Sequence, residues 1–300
     1  GGAVTGGTSS AGGSGGTTSS VPPGTGGPCD ILDTAKTPCV GAYSMVRALY
    51  KSYTGPLYQL RNGGNTKDVP LLSAGGFADA KVHEDFCGTA SSSACTIARL
   101  YDQSPNKNDM PITEPVFWIK AGEMKESKAN LSKHTVGGHT VYGLKFTGGQ
   151  KNSYRCMKNC KGVAVADQAE YMYEVVDATV SSTGCCNDFG NAETTGNPDG
   201  VGTMETIYYG KETMFGHGAG SGPWLLADLE AGTYPSDKGT DNNIPSLSIP
   251  KYATLILKGF SGNRYALLYG DAQQGEIKTQ WDGKRPSGYS PMKKQGGIVL

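Results

Sequence analysis

Asp228 and Glu230 stand two residues apart at the end of an apolar run, Trp224-Leu225-Leu226-Ala227. In an extended chain that spacing sends both side chains to one face of a sheet, roughly 6–7 Å apart along the strand. Carboxylates so placed can serve as nucleophile and orienter, or as acid and base, in glycosidic bond cleavage. The plainer reading is a pair of solvated charges at a strand end, but the apolar run predicts that at least one is shielded from water. Asp188, Glu193 and Glu205 lie in Gly- or Asn-rich surroundings and are further candidates for lining a cleft.

Sulfur supplies the second group. The chain has eight cysteines and four histidines (His83, His134, His139, His217). It has no CxxC pair and no HxxxH or HExxH spacing, so a disulfide framework is expected rather than a metal site, and no cofactor is implied. Cys29 with Cys39, Cys87 with Cys95, and Cys156 with Cys160 each bracket a short loop and read as local staples. A redox role for Cys156 and Cys160, which flank Lys158, is the alternative. Cys185 and Cys186 are adjacent. Successive Cα atoms are ~3.8 Å apart, against ~4.4–6.8 Å for ordinary disulfides, so such a dipeptide usually finds two distant partners. Here the other six form three local couples, which leaves Cys185 with Cys186. That pair would present a compact sulfur knob suited to the carbon face of a small ligand.

These groups need a scaffold, and the pattern around them is β. Short alternating stretches at Thr96–Tyr101, Thr140–Phe146, Tyr171–Val176, Met204–Tyr208, Trp224–Leu229, Ala253–Leu257 and Tyr265–Tyr269 are cut by Gly, Asn, Asp and Pro clusters. Their length and content predict strands. Only Ala42–Tyr53 has helical spacing. Many short strands with turn signals predict an all-β protein, a β-sandwich of two packed, mostly antiparallel sheets with one short helix near the start of the domain. The glycines of Gly216–Gly222 lack the strand-then-helix setting of a phosphate loop, because Pro223 and an apolar strand follow, and read instead as turns or points of close approach.

Residues 1–27, nearly all Gly, Ser, Thr, Pro, Ala and Val, form a flexible linker that implies a further module or anchor upstream. The chain stops inside the apolar run Gly296–Leu300, which reads as a truncated buried strand. Charge is balanced, 27 basic against 27 acidic residues, so no net field favours nucleic acid or an anionic surface. No apolar run approaches the ~20 residues of a membrane span. Asn130-Leu131-Ser132 is a glycosylation acceptor pattern, and Lys120–Lys133 reads as a solvated insertion.

Several motifs, in order, carry a resemblance. They are Gly27-Pro28-Cys29-Asp30-Ile31 with Thr37-Pro38-Cys39-Val40, Arg47-Ala48-Leu49-Tyr50, Gly55-Pro56-Leu57-Tyr58-Gln59-Leu60, Ala74-Gly75-Gly76-Phe77-Ala78-Asp79-Ala80 and Tyr101-Asp102-Gln103-Ser104. Later come Cys185-Cys186-Asn187-Asp188-Phe189-Gly190-Asn191-Ala192-Glu193-Thr194, Gly218-Ala219-Gly220-Ser221-Gly222-Pro223-Trp224 and Arg285-Pro286-Ser287-Gly288-Tyr289-Ser290-Pro291-Met292. From about residue 28 to residue 300 the chain resembles the catalytic domain of glycoside hydrolase family 54, the α-L-arabinofuranosidase B type. The resemblance implies a secreted, monomeric β-sandwich that removes terminal arabinofuranosyl groups from polysaccharides such as arabinan and arabinoxylan, with retention. It implies Glu230 as nucleophile, and Asp228, Cys185, Cys186 and Phe215 as sugar contacts.

The chain departs from the family at three points. Phe215 stands where relatives usually have Trp, and Ala231 and Gly232 stand where they have two asparagines. The family's general acid/base, an aspartate, falls beyond Leu300, as does its arabinose-binding trefoil. Two rival expectations follow: a non-catalytic carbohydrate-binding sandwich that lacks the acid, and a structural adhesive domain.

Overall fold

The computed structural model describes residues 26–112, 119–120, 122–146, 151–197 and 199–300. The predicted linker lies outside them except for Gly26 and Gly27. The fold is a β-sandwich. Its six-stranded sheet runs in the order Thr233–Tyr234, Trp224–Asp228, Glu205–Gly210, Asp188–Ala192, Gly297–Val299, Arg155–Cys156, with every pairing antiparallel. Against it packs a four-stranded sheet ordered Lys278–Gly283, Tyr265–Asp271, Tyr252–Gly259, Glu170–Asp177. Ile207, Tyr209, Leu225 and Ala227 from the first meet Leu255, Leu257, Tyr265 and Leu267 from the second. Tyr252–Gly259 alternates part-buried and buried residues along its whole length, the period of a strand with one face on the core. Glu205–Gly210 is buried on both faces.

A further four-stranded sheet (Asn65–Val69, Tyr58–Asn62, Thr96–Leu100, Met110–Pro111) and the helix Ala80–Cys87 enclose a second core of Tyr58, Ile97, Met110, Tyr142 and Tyr154. Ile298 belongs to that core while its strand lies in the six-stranded sheet, so Gly297–Val299 ties the two units together.

The sandwich carries a buried ion cluster. Arg285 donates to one oxygen of Glu205 and the Lys294 ammonium to the other, at 2.8 Å, with all three side chains at most 1 % exposed. Lys294 also lies 3.0 Å from Glu170 on the second sheet. Gly259 accommodates this carboxylate: a Cβ there would stand 2.2 Å from a Glu205 oxygen. Glu205 therefore holds the sheets together and is not a cleft residue, contrary to the expectation from its surroundings.

Three other expectations change. Ala42–Tyr53 is not helical, because tertiary partners take its backbone: Ala42 N–H donates to Asp102 at 2.8 Å, Ala48 N–H to the Gly76 carbonyl at 2.9 Å and Leu49 N–H to Gln103 at 2.6 Å. The Ser44 hydroxyl accepts from Val46 N–H, the local competition that disfavours helix. The helices form instead at Pro28–Thr34, led by proline in its first turn, and at Ala80–Cys87, capped by Asp79. Within Lys120–Lys133, Ser127, Ala129 and Asn130 are buried, and Ile97 N–H donates to the Ser127 carbonyl at 2.9 Å, so that part is packed rather than solvated.

Asn130 is the clearest case. Its amide donates to the Gly88 and Ala90 carbonyls, both at 2.9 Å, and its oxygen lies 2.8 Å from His83 Nε2. His83 in turn is bonded to the Tyr58 hydroxyl at 2.9 Å and stacked on Tyr142. Asn130 thus serves the folded chain as a buried, fully hydrogen-bonded side chain. Glu205→Ala strands two buried cations and should cost about 3–5 kcal/mol, measured by urea unfolding.

Candidate active site

The strand Trp224–Asp228 ends at Asp228, so Glu230 is not on the sheet and the two carboxyls are not aligned by the pleat, as their spacing predicted. A turn brings them together instead. Asp228 Oδ1 accepts from the Glu230 backbone N–H at 3.0 Å, an aspartate turn of the kind that ends strands. Leu229 N–H closes the loop onto the Gly232 carbonyl at 3.2 Å. Glu230 and Ala231 both lie in the left-handed region, with φ of 60° and 63°. Two consecutive side-chain-bearing residues there are costly, about 1–3 kcal/mol each, and persist because the surroundings fix them. Tyr289 supplies part of that: its hydroxyl donates to the Glu230 carbonyl at 3.0 Å and accepts from Tyr234 at 3.0 Å.

The chain then returns antiparallel, Thr233 opposite Asp228, and Thr233 N–H donates to the Phe215 carbonyl at 3.1 Å. This approach requires glycine at 216, where a Cβ would sit 1.8 Å from the Thr233 oxygen. Phe215, 46 % exposed, thus stands beside the Glu230 turn. The structure pairs the cysteines as Cys29–Cys39, Cys87–Cys95, Cys156–Cys160 and Cys185–Cys186. The last disulfide immediately precedes the strand Asp188–Ala192, and its sulfurs and an Asp228 oxygen all lie within 4.8 Å of one another. This grouping has metal-ligand spacing, but both sulfurs are spent on each other.

Around this turn the acids outnumber the bases. Burial first, then the nearby Glu193 charge, pushes Asp228 up to about 7. Burial, the Glu193 charge and a hydrogen bond with Glu193, then Asp228, push Glu230 up to about 8, against the pull of Arg155. Asp188 is held far above the usual carboxylate range by burial and by Asp228. Arg155, 8 % exposed, faces Glu193, Asp188 and Glu230; burial lowers its affinity for the proton and the acids restore part of it. The structure thus gathers Asp228, Glu230, Cys185, Cys186, Asp188 and Glu193.

The sequence reading missed Arg155 and Glu174. Glu174, in the strand Glu170–Asp177, is pushed up to about 8 by burial alone and its charge is felt at Asp188. Its one sequence signal is its position in phase with Met172 and Val176, which pack on the sandwich core. A single cluster of a carboxylate on a held turn, a second carboxylate bonded to that turn and an apolar sulfur face can bind a neutral polyol and attack it.

The sequence profile described as alpha-L-arabinofuranosidase B, catalytic, matches residues 28–300. The alpha-L-arabinofuranosidase B of Aspergillus oryzae is 41 % identical over 284 residues, covering 91 % of this chain and 54 % of its own length. That of Emericella nidulans is 43 % identical over the same span. The chain spans about half the length of these relatives. Among solved structures, a GH54 α-L-arabinofuranosidase soaked with a cyclic sulfate inhibitor superposes with a TM-score of 0.84 at 38 % identity, over 91 % of this chain and 57 % of that one. An arabinofuranosidase complexed with arabinofuranosyl-α-1,2-xylobiose matches equally well.

The raised carboxyls make stability depend on pH with a definite sign. Between the unfolded carboxylate range and about 8, the folded state binds more protons at Glu230 than the unfolded chain does. The resulting stabilisation is fully present below the unfolded value and is lost as pH rises through the folded one. Glu230→Gln removes that dependence. The variant should melt at a higher temperature than wild type near pH 8 and converge with it near pH 4, as calorimetry at matched ionic strength would show.

Proposed function

Because this chain belongs to the α-L-arabinofuranosidase B catalytic-domain family, we propose that it carries the retaining hydrolysis of terminal arabinofuranosyl groups, with Glu230 as nucleophile. The observation that carries this reading is the turn that fixes Glu230: a buried aspartate bonded to its N–H, a tyrosine bonded to its carbonyl and a disulfide beside both.

In this reading the sugar lies on the Cys185–Cys186 sulfurs through its carbon face, Phe215 borders the opening, and Asp228 bonds a sugar hydroxyl. Glu230 attacks the anomeric carbon, the glycosidic oxygen leaves, and an arabinosyl ester forms on Glu230; water then cleaves the ester with a second inversion. Glu230 must act as carboxylate, which Arg155 favours and its acidic neighbours oppose.

Retaining cleavage of a glycosidic bond also calls for a general acid that protonates the leaving oxygen. The strand Gly297–Val299 runs antiparallel to Asp188–Ala192 with Val299 opposite Gly190, alongside the strand that carries Asp188. A secreted setting fits the four disulfides. Arabinan or arabinoxylan side chains are the substrates this reading favours.

A dinitrophenyl arabinofuranoside tests it, since so good a leaving group needs little help from an acid. Wild type should release the phenol, and Glu230→Gln should fall to about one-thousandth of that rate or less with its fold unchanged by circular dichroism. Equal rates in the two proteins would refute the assignment. Saturable arabinose binding with no release by either protein would favour the binding-module reading.

A further inference from the structure

A groove of about 700 Å³ opens on the N-terminal part of the chain and shares no residue with the Glu230 turn. That volume falls in the range of small-molecule sites, roughly 300–1,000 Å³. The helix Pro28–Thr34, residues 50–56 and residues 101–109 supply its walls. Tyr50, Tyr53 and Tyr101 line it together with Asp33, Lys107 and Asp109.

The walls are fixed before any ligand arrives. Asp30 accepts from Gly27 N–H at 2.6 Å and from Lys51 N–H at 2.7 Å, which ties the helix to the Tyr50 segment. The Cys29–Cys39 disulfide holds the far side of that helix. The Tyr53 hydroxyl donates to the Pro56 carbonyl at 2.7 Å. Asp102 accepts from Ala42 N–H and Asn108 N–H, both at 2.8 Å, and is thereby spent on its own wall. Asp109 accepts from Asp102 N–H at 3.0 Å and lies 3.8 Å from Arg99.

Other groups of the lining are unspent. The side chains of Asp33, Ser52 and Thr54 are exposed and hydrogen-bond to nothing among the described residues. Tyr50 is 7 % exposed, and its buried hydroxyl has no hydrogen-bond partner among the described residues, an arrangement that native structures seldom leave unused. Burial, then the charges of Asp33, Asp102 and Asp30, push that hydroxyl up to about 12, so it keeps its proton at neutral pH. The Lys107 ammonium lies 5.3 Å from the centre of the Tyr53 ring, on a backbone with φ of 57°. One unspent carboxylate and one ammonium give the groove no net preference for an ion of either sign. Hydroxyls, a donor and an acceptor beside aromatic rings suit a ligand made of hydroxyls and C–H faces.

We propose that this groove is a second, non-catalytic carbohydrate site that takes the main chain of a neutral polysaccharide, its sugar rings against the tyrosines and its hydroxyls bonded by Asp33, Lys107 and Tyr50. The choice of a polysaccharide rests on the function proposed above; the groove itself does not. Such a site is weak alone, but a polymer that engages it and the Glu230 site together raises the effective concentration of cleavable ends.

The test is calorimetric titration of the full chain with xylohexaose and with linear arabinohexaose, each with free arabinose in excess to fill the Glu230 pocket. The hexamers of galacturonate and glucosamine serve as acidic and basic counterparts. Wild type should bind a neutral hexamer saturably and the charged ones no more tightly. Asp33→Ala combined with Lys107→Ala should weaken binding about fivefold or more, and Tyr50→Phe should weaken it by a similar factor. The first pair alters exposed side chains, and the second removes a hydroxyl that has no partner, so neither should lower the melting temperature. Both should release phenol from the dinitrophenyl arabinofuranoside at the wild-type rate, whereas Glu230→Gln should lose that activity and keep the hexamer binding. The two readings therefore fail separately. Absence of saturable binding, binding undiminished in the folded groove variants, or tighter binding of a charged hexamer would overturn the inference. Self-association of wild type that the same substitutions abolish would overturn it too, and assign the groove to a second copy of the chain.

Discussion

The Glu205 carboxylate, buried between Arg285 and Lys294, is the interaction on which the remaining architecture leans. Glu205 opens the central strand of the six-stranded sheet, Glu170 reaches Lys294 from the second sheet, and both cations come from the segment that leads into Gly297–Val299. One cluster therefore fixes the spacing of the sandwich and delivers its last strand. Ion pairs of this kind are weak sources of stability compared with apolar packing of the same volume, because three charges must be stripped of water. What the cluster imposes is registry. Its charges are satisfied only when both sheets and the final segment are in place together.

That registry matters because the site is assembled from strands of the same sheet and the turns at their ends, and is unfavourable in its own right. Glu230 and Ala231 adopt left-handed backbone, and Asp228, Glu230, Glu193 and Asp188 are gathered around one buried arginine. No local preference would hold this arrangement. The hydrogen bonds from Tyr289 to the Glu230 carbonyl and from the Glu230 N–H to Asp228 do hold it, and they work because Thr233 and Phe215 close the turn from the other side. A rigid scaffold thus supports a locally strained, proton-rich turn.

The sequence reading reached the strands, the disulfide couples and the Asp228–Glu230 region because each leaves a local trace: alternation, short loops, an acid after an apolar run. Its failures share one cause, which is that tertiary partners decided the outcome. Ala42–Tyr53 has a helical pattern, yet Asp102, Gln103 and Gly76 claim its backbone from far along the chain. Glu205 and Glu193 have equally unremarkable neighbours in sequence; one lies in an ion cluster and the other against Glu230, a difference that no spacing encodes. Asp228 and Glu230 do meet, but through a turn in which Asp228 accepts from the Glu230 N–H, where their spacing predicted a pleat.

Under the proposed function a neutral ligand meets an acid-rich site, and that combination constrains how the site would operate. A sugar supplies hydroxyls and carbon faces but no countercharge, so binding removes water from Glu230 without offering it a cation. Desolvation strengthens every charge–charge term inside the closed site, including the repulsion from Asp228 and Glu193 and the attraction to Arg155. With acids in excess, the site tolerates closure only if protons neutralise most of them, which is the condition already reached by the buried carboxyls before any ligand arrives. Under the proposed function, Asp228 as a neutral acid would keep a proton to donate to a sugar hydroxyl or ring oxygen while its other oxygen accepts the Glu230 N–H. The same burial that makes Glu230 hard to ionise thereby leaves its partner suited to hold the sugar, and a single arginine suffices where a fully ionised cluster would need several.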